Sequence, residues 1–204
     1  MKRIKLRKDN SLTLKESFEK FIRECKIKDL SDSTISYYKN SFNYFKKFLK
    51  SNNEDVDNLS LDRINKDLLN EYIIWLDENY NMKNITINTR LRGIRTFLNF
   101  LMGNQYLDKF QINFLKTEKP IKETYTDKEL RKLLNKPNLD KCNFAKYRNW
   151  VIVNFLLGTA VRSRTLINMK VKDINIDESV VYLRVTKNRK QQVIPLSNKL
   201  NKIL

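Results

Sequence analysis

Histidine is missing altogether from this sequence of 204 residues. Its absence excludes a His-ligated metal site, and equally a histidine general base, within the chain. Three glycines and three prolines are too few for a collagen-like or low-complexity protein. The two cysteines, Cys25 and Cys142, lie far apart without metal-ligand spacing. Both are expected to be reduced core thiols, as suits a reducing cytoplasm, and a cytoplasmic location is expected. No run approaches the ~20 consecutive apolar residues that would span a bilayer, so no membrane insertion is expected. Met1 to Asn10 is basic but leads straight into a charged amphipathic segment, which does not read as a secretory signal. Acidic residues are also in short supply, 23 against 41 Lys+Arg, for a formal net charge of +18. That excess favours a polyanionic partner, most commonly nucleic acid, but charge alone does not separate DNA, RNA and an anionic membrane surface.

What is present is a strong helical period in the first half. Thr13 with Glu16 forms a capping-box signature, followed by Leu14, Phe18, Phe21 and Cys25 on one face. Ser31 or Ser33 opens a second helix carrying Ile35, Tyr38, Phe42, Phe45 and Leu49, which Asn52 and Asn53 end. The aromatic stripe Tyr38, Phe42, Phe45 has the regular spacing of a core, not of a base-stacking platform. Lys66 to Glu78 and a segment with Ile87, Leu91, Ile94, Leu98 and Leu101 supply two more helices, giving a four-helix bundle over residues 1–106. From 107 to 124 the period fades around Pro120, as in a linker.

Residues 125–204 read as a second, α/β domain. Thr126 with Glu129 caps a helix through Leu134, and an apolar helix follows near Tyr147 to Leu157. Val180 to Val185 and Gln192 to Leu196 are β-rich runs around a basic stretch, predicting an antiparallel hairpin with a basic tip. The fold class is thus mainly α: a helical bundle, then an α/β part with a small antiparallel sheet.

Two sets of residues are candidates for function. On the fourth helix Asn88, Arg92, Arg95 and Asn99 share a flank beside the apolar stripe, and on the second Thr34, Lys39, Asn40, Lys46, Lys47 and Lys50 are polar. Arginine and lysine neutralise phosphates, and asparagine and arginine also read base edges. Any one of them taken alone is as well explained as part of a solvated face. Arg162 is placed in a tight inter-helix turn, between an apolar helix stopping near Gly158 and an apolar segment starting at Leu166. A forked guanidinium there suits two non-bridging phosphate oxygens.

The segment Leu156-Leu157-Gly158-Thr159-Ala160-Val161-Arg162, continued to Ile174, resembles the Thr-Gly-hydrophobic-Arg box of the tyrosine recombinases, the phage-integrase family. Thr186-Lys187-Asn188-Arg189-Lys190, leading to Pro195-Leu196, resembles that family's β-hairpin. Ser33-Thr34, and Thr86-Ile87-Asn88-Thr89-Arg90-Leu91, resemble helix openings in its SAM-like core-binding domain. The likeness covers nearly the whole chain, in the family's order.

The resemblance implies that Arg162 holds the scissile phosphate and that Lys187 protonates the leaving 5′-oxygen. It implies Thr34, Lys39, Thr86, Asn88, Arg90, Arg92 and Arg95 as DNA-contacting residues, double-stranded DNA as partner, and a tetramer on DNA. It implies no metal and no cofactor. Ala160 stands where the family usually has glycine, and Thr165 where many members have glutamate. The family continues past a position equivalent to Leu204 into a His-X-X-Arg box and a nucleophilic tyrosine, so this chain is expected to be truncated. It is then expected to bind duplex DNA without cutting it, and to expose apolar surface around Leu166, Ile167 and Met169. A DNA-binding regulator derived from an integrase, or a basic RNA-binding protein, are the alternatives.

Overall fold

The computed structural model describes residues 12–118, 121–184, 186 and 190–204. The chain forms two compact units, Met1–Pro120 and Ile121–Leu204. It is mainly helical, with one three-stranded antiparallel sheet in the second unit.

Unit 1 is built on α1 (Leu14–Ile27), α2 (Asp32–Ser51), α3 (Lys66–Tyr80) and α4 (Asn84–Gly103). The capping box at α1 is complete: Thr13 Oγ1 accepts from the Glu16 amide, and the Glu16 carboxylate accepts from the Thr13 amide at 3.0 Å. Those hydrogen bonds hold the Glu16 carboxyl below its ordinary pKa. Ser31 caps α2 and Asn65 caps α3 with one side-chain hydrogen bond each. Phe18, Phe42 and Phe97 pack as one aromatic knot, the first two stacked at 3.7 Å and the third edge-on to both. The stripe predicted on α2 is core: Phe42 and Phe45 are buried and Tyr38 packs against the same cluster.

α2 and α4 cross closely because both carry a small residue at the contact. Ser41 is fully buried, and a Cβ at Gly93 would lie 2.6 Å from the Ser41 Cβ. Beside the crossing, the Tyr37 hydroxyl donates to the Thr89 carbonyl, and burial pushes its pKa up.

The segment expected to be a linker from 107 behaves otherwise. Leu107 is buried, and Phe110, Ile112 and Leu115 pack against the bundle core. The chain therefore stays on unit 1 as far as 118. Its backbone is tied down by Asn84, whose amide donates to the Lys116 carbonyl at 3.0 Å. Asn88 both donates to the Leu115 carbonyl at 2.8 Å and accepts from the Leu115 amide at 2.9 Å.

Unit 2 contains α5 (Asp127–Leu134), α6 (Phe144–Thr159), α7 (Ser163–Ile167), β1 (Ile174–Asn175), β2 (Val180–Leu183), β3 (Gln192–Pro195) and α8 (Asn198–Asn201). The Thr126–Glu129 capping box is present as expected. The hairpin pairs Val181 with Ile194 and Leu183 with Gln192, and the short β1, not anticipated from the sequence, adds to the edge of β2. Alternation along β2 turns Val181 and Leu183 inward, onto Phe155, Leu196 and Leu200. Cys25 is a buried thiol, but Cys142 is not a core residue: it sits half-exposed in the turn before α6.

Candidate nucleic-acid interface and catalytic turn

The α4 flank is the better defined of the two candidate surfaces. Arg92 and Arg95 stand one turn apart, both exposed, on a helix whose opposite stripe fills the core. Among the described residues neither has a carboxylate within ion-pairing distance. Each guanidinium lies over the ring of Phe114, at 5.5 Å for Arg92 and 5.1 Å for Arg95. Phe114 belongs to the segment that Asn84 and Asn88 tether, and nothing in its local sequence announced it.

Asn88 departs from its expected role. It is buried, and both ends of its side-chain amide are taken by the Leu115 backbone, so it reads no base edge in this conformation. Its polarity serves the protein's own main chain.

Arg90 lies on a different side of α4 from Arg92. Its guanidinium rests 4.4 Å over the Tyr44 ring, and its buried Nε has no hydrogen-bond partner among the described residues. Tyr44 in turn meets Tyr80 edge-on, and the Lys47 ammonium lies over both rings. Arg90 is thus half-buried in an aromatic cluster rather than displayed beside Arg92 and Arg95. Thr86 is half-buried in the first turn of α4. On α2, Thr34 is engaged locally with Ser31 at 2.9 Å, while Lys39 is exposed on the side away from the Ser41 contact.

In unit 2, α6 ends at Ala160, which takes the left-handed conformation at φ 51° and donates its amide to the Leu156 carbonyl. That backbone is why a glycine suits the position, and alanine there costs about 1 kcal/mol. Arg162 follows as the exposed N-cap of α7, its carbonyl accepting from Thr165 and Leu166. Val161 and Leu166, on either side, pack onto the Val181–Leu183 cluster, which fixes the turn against the sheet. Thr165 is buried behind it. Lys187 lies outside the described residues.

The base of the hairpin is described, and it is latched. Asp173 is buried and accepts from the Lys170 amide at 2.9 Å and from Arg184 Nε at 2.8 Å. The Lys170 amide first, then Arg184, holds its carboxyl below the ordinary carboxylate range. A depressed carboxyl contributes stability above about pH 4, and that contribution is lost as pH falls through the folded-state value. Asp173→Asn should therefore lower the melting temperature of unit 2 at neutral pH, and the gap to the natural chain should close in acid. A gap that is constant from pH 7 to pH 3 in thermal melts would show that the ionised latch is not what Asp173 contributes.

Tyr182, on β2, donates its hydroxyl to Glu178 at 3.1 Å, which raises its pKa. Tyr182 alternates with the inward Val181 and Leu183 and so lies on the outer face of β2, not in the core of the unit. No group of acidic or cysteine side chains suited to a metal ion occurs among the described residues. Nor is any described helix long and apolar enough to cross a membrane.

A helical unit joined to an α/β unit with an arginine turn and a β-hairpin is an architecture that this chain shares with known recombinases. Residues 13–117 match the phage integrase SAM-like domain and residues 123–204 match the phage integrase family, to which this chain belongs. It is 28% identical over 181 residues to tyrosine recombinase XerC of Staphylococcus epidermidis, covering 87% of this chain and 58% of that protein. It is 24% identical over 178 residues to a tyrosine recombinase of Pseudothermotoga lettingae, covering 85% and 58%. The chain thus spans rather more than half the length of these relatives. The fold is that of the Tn1549 transposon integrase solved in complex with circular intermediate DNA (TM-score 0.64, 16% identity, 95% of this chain and 63% of that one). It is shared with the XerH site-specific recombinase bound to palindromic difH substrate (TM-score 0.63, 16% identity, 90% and 54%).

Proposed function

We propose that this chain is the DNA-holding part of a site-specific recombinase: unit 1 grips duplex DNA through α4, and unit 2 brings Arg162 and Lys187 to the scissile phosphate. The observation that carries the reading is the exposed pair Arg92 and Arg95, which meets no carboxylate among the described residues, on a protein of net charge +18. Two such cations on one helix flank displace counterions from a duplex, and a guanidinium also fits a base edge. The family supplies the chemistry. A tyrosine attacks the phosphate, Arg162 stabilises the charge that develops, and Lys187 protonates the leaving 5′-oxygen.

Residues 1–204 contain no tyrosine in the family's nucleophile context, so this chain alone is proposed to bind and not cut. It acts in the cytoplasm on DNA of a mobile element and assembles as a tetramer on its sites. A regulator that occupies recombination sites would share all of these contacts except the cut.

Binding of a fluorescent duplex should weaken steeply with salt. Arg92→Gln with Arg95→Gln should lower affinity across sequences and flatten the slope of log K against log salt by about 2. An unchanged slope in that double variant would remove α4 from the interface. Preference for structured RNA over duplex would overturn the DNA reading altogether. A covalent adduct on nicked duplex would overturn the claim that the chain does not cut.

A further inference from the structure

We infer that Phe114 is a positioning residue of the duplex interface: with the backbone tether of Asn88 it forms a clip that holds the Arg92 and Arg95 guanidinium groups ready for phosphate. This deepens the reading of α4 as a duplex contact and rests on it. An exposed arginine has several rotatable bonds, and ordering it on a phosphate costs side-chain entropy. A ring beside the guanidinium reduces that cost, because the cation is attracted to the π face while its N–H donors remain free for phosphate oxygens.

The structure supplies each part of this arrangement. Both guanidinium groups lie over one ring, at 5.5 and 5.1 Å. No carboxylate among the described residues competes for either cation. Phe114 keeps 37% of its surface exposed, although leucines and isoleucines around it turn inward. The ring stays in place because the next residue, Leu115, exchanges two hydrogen bonds with buried Asn88, and Lys116 is held by Asn84. An aromatic side chain half in water, on a doubly tethered backbone and shared by two arginines, contributes little to the core and much to the geometry of those arginines.

The test uses the whole chain and a fluorescent duplex at fixed salt, with circular dichroism and thermal melts as folding controls. F114L should fold and melt like the natural chain and bind about five-fold more weakly, while F114Y, which keeps the π face, should restore affinity. In the R92Q/R95Q background F114L should have no further effect. If F114L binds like the natural chain, or loses the same factor in the R92Q/R95Q background, the clip is overturned. If R92Q/R95Q itself binds like the natural chain, the α4 reading fails and the clip falls with it. Loss in R92Q/R95Q without loss in F114L sinks the clip alone.

Discussion

Gly93→Ala should destabilise unit 1, although alanine is the better helix former. The substitution gains about 1 kcal/mol of helix propensity. Against that, its Cβ would lie 2.3 Å from Ser41 Oγ, 2.6 Å from Ser41 Cβ and 3.4 Å from Tyr37 Cζ. The hydroxyl can swing away, but the Ser41 Cβ is fixed to the α2 backbone, and carbon atoms prefer ~3.5–4.0 Å. The helices must therefore part by roughly 1 Å in a closely packed interior, which carries an overpacking cost of about 1–3 kcal/mol. A net loss of about 1–2 kcal/mol is expected for alanine, or several degrees in the melting temperature of a domain this size, and more for Gly93→Val. Ser41→Gly removes both obstructing atoms and should rescue Gly93→Ala, giving a favourable coupling in the double-mutant cycle. Trp75 lies in unit 1 and Trp150 in unit 2, so fluorescence in a Trp150→Phe background follows this transition alone. Simple additivity of the two substitutions would mean that the α2–α4 crossing tolerates separation.

Much of this architecture was legible because its signals are local. The capping boxes at Thr13 and Thr126 are written within four residues, and the hairpin is announced by two β-rich runs around a polar stretch. The turn that presents Arg162 could be read from Gly158 and the two apolar runs around it. What escaped is non-local. Residues 107–118 have no period of their own, and their place on the bundle comes from Asn88 and Asn84, which reach 27 and 32 residues along the chain. A helical wheel puts Asn88 beside Arg92 and Arg95, yet it cannot tell an amide facing water from one that satisfies buried main chain. Arg90 escaped for a related reason: its neighbour Tyr44 is on another helix, and only packing brings them together. The buried Asp173 was passed over because a lone carboxylate carries no spacing signal until Arg184 folds back onto it.

Unit 2 should melt well before unit 1 and should self-associate through α6. A helix that is apolar all round normally lies inside a protein. α6 carries Trp150, Val151, Ile152, Val153, Phe155, Leu156 and Leu157, yet its only buried residues are Asn154 and Phe155. The buried apolar core of the unit consists of Phe155, Val181, Leu183, Leu196 and Leu200, against the continuous core that all four helices of unit 1 share. Leu157 is 53% exposed, Ile167 79% and Val171 90%, so large apolar side chains remain in water on α6, on α7 and just after it. Of the three residues expected to be such liabilities, Ile167 is exposed, whereas Leu166 and Met169 pack against the core of the unit. Each kilocalorie of missing burial shifts a small domain by about 4–8 °C, so two transitions separated by at least ~10 °C are expected. Trp150 should report the first and Trp75 the second. The folded chain should bind a hydrophobic dye and sediment faster as concentration rises. Leu157→Lys with Ile167→Lys should restore a monomer without lowering the first transition, because both side chains already face water. One cooperative transition seen by both tryptophans, in a chain that stays monomeric at high concentration, would show that the α6 surface is satisfied within the chain.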